Sequence, residues 1–154
     1  MSAAPRPRQD DNRSMRKKLR EVSERVSARL RDAGLRPTQQ RVELASLLFA
    51  RGHRHVTAES LHEEVARAGT RISLATVYNT LHQFTHAGLL RQVVVDAQRS
   101  YFDTNIDEHQ HFFVEDDRLL IDIPGDAIAV SGVPVPPKGT ELSRVDVVVR
   151  VRRS

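Results

Sequence analysis

A chain of 154 residues with 39% hydrophobic side chains is long enough for one or two small domains around a buried core. Its 24 Lys and Arg against 20 Asp and Glu leave a formal net charge of +4, a field that favours polyanions. Zero cysteines exclude a disulfide framework and a thiolate metal site. No apolar run is long enough to span a bilayer, the arginine-rich start lacks the apolar middle of a secretory signal, and Asp10, Asp11 and Glu21 argue against a transit peptide, so a cytoplasmic protein is expected.

Residues 1–13, with two prolines and no apolar period, read as a disordered basic arm. From Ser14 to Ala33 the pattern turns helical, with Leu19, Val22, Val26 and Leu30 at steps of three and four. Arg13, Arg16, Lys17, Lys18 and Arg20 make this a basic entry suited to phosphate contact, although charge runs are more often simply solvated. Thr38–Ala50 predicts a helix with Leu44, Leu47 and Leu48 inward, and Thr57–Ala68 a second, capped by Thr57, with Leu61 and Val65 inward.

Residues 73–90, SLATVYNTLHQFTHAGLL, predict the next helix, capped by Ser73 and ended by Gly88. Leu74, Val77, Leu81 and Phe84 fall on one face. Ala75, Thr76, Tyr78, Asn79, His82 and Gln83 lie on the others, side chains short or flat enough for the helix to approach base edges and thymine methyl groups. The link Gly69-Thr70-Arg71-Ile72 suits the tight turn of a helix-turn-helix, with Arg71 beside the helix start and Arg36 and Arg41 at the earlier helix. Leu90–Val95 and Ser100–Asp103 then flank a polar tip as a hairpin. Three helices and a hairpin make a winged helix.

The second half predicts a hairpin from His109–Val114 and Leu119–Ile123, a short helix near Asp126–Val130, and a strand in which Val145, Val147, Val149 and Val151 share one face. A sheet of about three strands with so little helix over it is marginal alone, which points to a second copy of the chain. A dimer would also present two reading helices to two half-sites. The fold class is therefore α+β: a winged helix over residues 14–103, a hinge at 104–108 and a small α/β dimerisation unit over 109–154.

Candidate site chemistry gathers where the halves meet. His109 and His111 project to one side of an extended run, Asp103 ends the wing, Asp122 lies in the next strand, and His55 sits in the loop before Thr57. Imidazoles with carboxylates and no sulfur suit Fe(II), Mn(II) or Zn(II). Spacing alone leaves open surface histidines that merely neighbour acids.

The segments Gly34–Thr38, His55–Glu59, Ser73–Tyr78, Ala87–Leu89, Phe102–Asp103 and His109–His111 together resemble the Fur family of bacterial metal-responsive repressors over roughly residues 15–152. Asn79 after Leu74–Tyr78, the run Ala87–Val93 and Tyr101–Asn105 look most like its Irr branch, the iron response regulators. The resemblance implies a homodimer, with higher-order assembly on DNA, bound to AT-rich pseudo-palindromic operators. It places Tyr78 against bases, Arg36 in the adjoining minor groove, and a sensing metal on His55, Asp103, His109, His111 and Asp122. Two of those positions are more often glutamate in the family.

The chain also departs from the pattern. Val114 and Asp117 stand where many relatives carry structural-zinc cysteines, and Gln110 and Val145 replace ligands of a second His/Asp site. Where Irr relatives often show three consecutive histidines associated with haem, this chain has Glu108-His109-Gln110-His111, leaving His109 and His111 as candidate axial ligands. The expected function is transcription regulation of iron and haem genes, active when iron is scarce and inactivated by haem. A Fur-like repressor that requires Fe(II) or Mn(II) is the alternative. A metallohydrolase is set aside because nothing marks a substrate cleft, and the remaining rival is a winged helix used for protein contact.

Overall fold

The computed structural model describes residues 9–154. Four helices, α1 (Gln9–Asp32), α2 (Gln39–Phe49), α3 (Ala58–Arg67) and α4 (Leu74–His86), enclose the main core. Their caps are written in the sequence. Thr38, Thr57 and Ser73 each accept a backbone N–H of the first turn, and Thr57 exchanges hydrogen bonds with Ser60 in a capping box. Gly69 and Gly88 end α3 and α4 at positive φ, and the bond from Leu89 N to Phe84 O at 2.9 Å closes the reversal after α4.

The apolar steps assemble one cluster: Val26 and Leu30 of α1, Leu44 and Leu48 of α2, Leu61 and Val65 of α3, and Val77, Leu81 and Phe84 of α4. Leu74 differs from expectation and is 41% exposed, because the first turn of α4 overshoots the core; Thr80 is buried instead. Leu47 is only partly buried.

Six strands form two three-stranded sheets. The first has the order β1 (His55–Val56), β3 (Arg99–Asp103), β2 (Arg91–Asp96), all antiparallel. The second has β5 (Leu119–Ile123), β4 (Gln110–Val114), β6 (Val148–Val151), with β6 parallel to β4. Val93, Val95 and Tyr101 from the first sheet pack against Phe113 and Leu120 from the second, so a smaller core joins the two halves. Arg91 reinforces it, donating to Asp146 at 2.6 Å, and Tyr101 Oη donates to the Arg118 carbonyl at 2.9 Å.

Several expectations change. The basic arm lies outside the described residues up to position 8, but residues 9–13 are the first turns of α1 and not disordered: Asp10 and Asp11 sit where the helix dipole favours acids. His55 lies in a strand, not a loop. The helix near Asp126–Val130 is absent; only an isolated turn from Ala127 N to Pro124 O forms, since so short a run after Pro124-Gly125 cannot nucleate a helix. The last strand is shorter than the expected Arg144–Arg152 because the Gln110 side chain binds Val145 O and Val147 N, occupying groups that would extend the ladder. At the other end Arg152 and Arg153 pair with Glu115 and Asp117 of the β4–β5 turn. Among the described residues no helix is long and apolar enough to cross a membrane.

Candidate metal centre and nucleic-acid interface

Register builds the metal centre. His55 stands directly opposite Asp103 across β1 and β3, and His111 directly opposite Asp122 across β4 and β5. Each sheet therefore offers one cross-strand His–Asp pair. His109, just before β4, completes a cluster whose five donor atoms all lie within 4.8 Å of one another.

The three imidazoles point inward through Nε2. These atoms lie 3.1, 2.8 and 3.0 Å from Asp103 Oδ2, and 2.7, 3.4 and 3.4 Å from Asp122 Oδ1, for His55, His109 and His111 respectively. Around one ion with bonds near 2.1 Å, adjacent donors sit about 3 Å apart and opposite ones about 4.2 Å. The cluster has that spacing. Asp103 Oδ1 accepts from Asn105 N at 2.9 Å, which aims Oδ2 at the histidines. His109 Nδ1 lies 2.6 Å from the Asp107 carbonyl and must be the donor there, so the lone pair of the neutral ring sits on Nε2. His55 Nε2 is buried and close to both carboxylates, yet makes a well-angled hydrogen bond with neither.

Asp103, His109 and His111 are buried, His55 is half-buried and Asp122 is exposed. Burial disfavours the charged form of Asp103, but hydrogen bonds from His111 and the Asn105 N–H, together with the neighbouring His55 imidazole, outweigh it and hold the carboxyl far below its ordinary range. Burial likewise opposes protonation of His55, and Asp103 and Asp122 overcome it, raising its pKa. All five residues chosen from spacing and resemblance meet here. Spacing did not reveal the Asp107 carbonyl or the Asn105 N–H, because backbone partners carry no sequence signature.

The nucleic-acid candidates divide. Arg71, Ser73, Ala75, Tyr78 and Asn79 are exposed around the first half of α4, with Thr76 half-buried beside them. Ser73 Oγ and Thr76 Oγ1 bond each other at 2.9 Å, so both hydroxyls serve the cap. Arg36 is exposed. Arg41 is not free: it donates to the Arg36 carbonyl at 2.9 Å and to Gln83 Oε1 at 3.0 Å, pinning α2 to α4. Gln83, expected on the groove side of the helix, holds Arg41 instead.

The profile of the ferric uptake regulator family matches residues 32–143. The peroxide-responsive repressor of Staphylococcus aureus is 32% identical over 102 residues, 66% of this chain and 68% of the repressor. Among solved structures, the ferric uptake regulator of Pseudomonas aeruginosa with manganese is similar with a TM-score of 0.62 at 28% identity, over 83% of this chain and 97% of that one. The Vibrio cholerae ferric uptake regulator shares the fold with a TM-score of 0.64 at 22% identity, over 82% of this chain and 98% of that one. The match spans α2 to α4, both hairpins and all five cluster residues, and the chain belongs to the ferric uptake regulator family of DNA-binding, metal-responsive transcription regulators.

Proposed function

We propose that this protein is a dimeric regulator of iron and haem genes whose hold on DNA responds to the ligand at His55, Asp103, His109, His111 and Asp122. The observation that carries this reading is the shared ownership of the cluster. Asp103 and His55 belong to the sheet continuous with the helical core, whereas His111 and Asp122 belong to the other sheet. An ion bound by both fixes the orientation of one unit against the other about the 104–108 hinge, and so the spacing of two reading helices in a dimer. The donor set suits Fe(II), Mn(II) or Zn(II), and the Pseudomonas aeruginosa relative is one solved with manganese.

In this reading Arg71 holds the backbone and Arg36 enters the adjoining minor groove, while Ala75, Thr76, Tyr78 and Asn79 meet bases of an AT-rich pseudo-palindrome. A second copy covers the outer face of the second sheet, where Ile121, Phe112 and Val149 form one row across three strands and Leu119, Val114 and Val151 the next. Phe112, Ile121 and Leu119 are exposed in the single chain.

The sign of the response follows the Irr-like segments Leu74–Asn79 and Tyr101–Asn105: DNA is held when iron is scarce and released with haem. Haem would draw on His109 or His111, whose Nε2 atoms already face the cluster, so haem and metal compete. The alternative is a co-repressor metal. Duplexes selected from a random library by apo, Mn(II)-loaded and haem-loaded protein separate the two. Affinity lowered by haem supports the first sign; affinity raised by Mn(II) and indifferent to haem supports the alternative. Indifference to both would sink the regulatory reading.

A further inference from the structure

Tyr78 and His82 lie four residues apart on α4 and meet edge to face, with ring centroids 4.5 Å apart and planes at 62°. His82 also meets Phe102 of β3 edge to face, at 5.3 Å and 88°. Tyr78 is 48% exposed on the reading helix, while Phe102 is fully buried. The imidazole is thus a wedge between a surface ring and a core ring. Its Nε2 is buried and has no hydrogen-bond partner. A leucine would fill this place without stranding a polar atom, so apolar filling alone does not account for a planar ring here.

The next residue along β3 closes the connection. Side chains alternate across a strand, so Phe102 faces the helices and Asp103 faces the opposite way, onto the three imidazoles. Phe102 is clamped on both sides, opposite Val56 in β1 and Gln92 in β2. A displacement of Asp103 is therefore carried into Phe102 by a backbone that has no slack between them.

We infer that His82 is a positioning residue for DNA reading, holding the Tyr78 ring in its exposed pose and tying that pose, through Phe102, to the metal cluster at Asp103. The inference rests on the proposed reading of α4 and the cluster, and adds the link between them. Metal uptake changes what Asp103 Oδ2 contacts, the change reaches Phe102 through the strand, and the His82 ring passes it to Tyr78. The coupling needs a rigid ring at position 82 and no charge there.

The full chain has two tyrosines, Tyr78 and Tyr101, so 3-fluorotyrosine labelling gives two signals that Tyr101→Phe assigns. Zn(II), which is diamagnetic, is the probe, and its uptake is followed independently by competition with a chelating dye. The expected result is a Zn(II)-dependent shift of the Tyr78 signal in the parent chain, reduced to less than half in His82→Leu and His82→Asn, and restored in His82→Phe. Discrimination between a library-selected duplex and its scrambled sequence should fall about tenfold in His82→Leu, the weight of one lost base contact, and recover in His82→Phe. A shift in folded His82→Leu as large as in the parent chain overturns the inference. So does a parent chain that takes up Zn(II) while Tyr78 stays still, although the metal reading then survives. Failure to take up Zn(II) removes the metal reading and the inference together.

Discussion

His109 turns Nε2 onto Oδ2 of Asp103 at 2.8 Å while its Nδ1 donates to the Asp107 carbonyl at 2.6 Å. In the neutral ring this sets a lone pair against a carboxylate, an arrangement that a shared cation relieves. Asp103→Asn keeps the shape and removes the charge. It is expected to weaken Zn(II) or Mn(II) binding by about 100-fold or more, since even outer partners of metal ligands are worth about 10–100-fold. His109→Ala and His111→Ala should do the same. Chelator competition measures it, and unchanged affinity in Asp103→Asn would remove the metal assignment.

The residues of that cluster were legible in the sequence for different reasons. His109 and His111 show the two-residue period of a strand, and Asp103 and Asp122 end or occupy apolar runs, but His55 belongs to a strand of two residues, too short to leave a pattern. What joins it to the others is register: His55 faces Asp103 over nearly fifty intervening residues, and only the folded sheet sets that pairing. The helices were legible because caps and apolar steps are local. Leu74 was misplaced because a helical face defined by spacing says nothing about where the core ends. The hold of Gln83 on Arg41 was illegible for the reason that side-chain contacts between helices depend on how the helices pack.

The buried Arg91 joins the halves through Asp146 and, at 3.3 Å, through the Asp107 carbonyl that also orients His109. Burial raises the Asp146 pKa, but hydrogen bonds from Arg91 and Arg144 prevail and lower it. A lowered carboxyl contributes stability that is present above its ordinary value near 3.9 and is lost as the pH falls through the lowered one. Unfolding free energy should therefore decline below about pH 4. Asp146→Asn should cost about 0.5–1 kcal/mol at neutral pH, a modest amount because the carboxylate is half exposed. It should also flatten the acid limb in urea titrations at successive pH values; an unchanged limb would exclude this pair as its source.

The basic half of α1 is not placed like the basic residues around α4. Arg29 lays its guanidinium over Phe49, the last residue of α2, at 3.8 Å. The stretch of α1 before it is exposed from residue 9 to Arg25 apart from the half-buried Val22. Phosphate contact by Arg16 and Lys17 was a reasonable expectation from charge alone. We propose that Arg71, and Arg36 in the adjoining minor groove, carry it instead, both exposed near α4. Each of Arg36→Ala and Arg71→Ala should weaken all duplexes and lower the salt slope by about one, whereas Arg16→Ala with Lys17→Ala should leave the slope unchanged. Binding isotherms across salt concentrations decide between these positions, and a reduced slope in the double variant would return the arm to the interface.

The second sheet buries Phe113 and Leu120 against the first and leaves Phe112, Ile121 and Leu119 outside. Alternation along β4 and β5 makes this unavoidable: if one set of side chains reaches the inner core, the set between them faces outward. In most half-exposed sheets the outward set is polar. Here the rows are apolar on all three strands, and the helix that could have covered them, near Asp126–Val130, does not form. Phe112→Asp places a charge at the centre of that face without touching the metal cluster, whose His111 points the other way. Burying one large apolar side chain contributes about 1.5–3 kcal/mol, so the dimer dissociation constant should rise at least about tenfold in sedimentation equilibrium. Specific duplex binding should weaken with it, because two half-sites then engage separately, while Zn(II) affinity stays at the parent value. A Phe112→Asp protein that sediments as the parent dimer would move the interface to another face of the molecule.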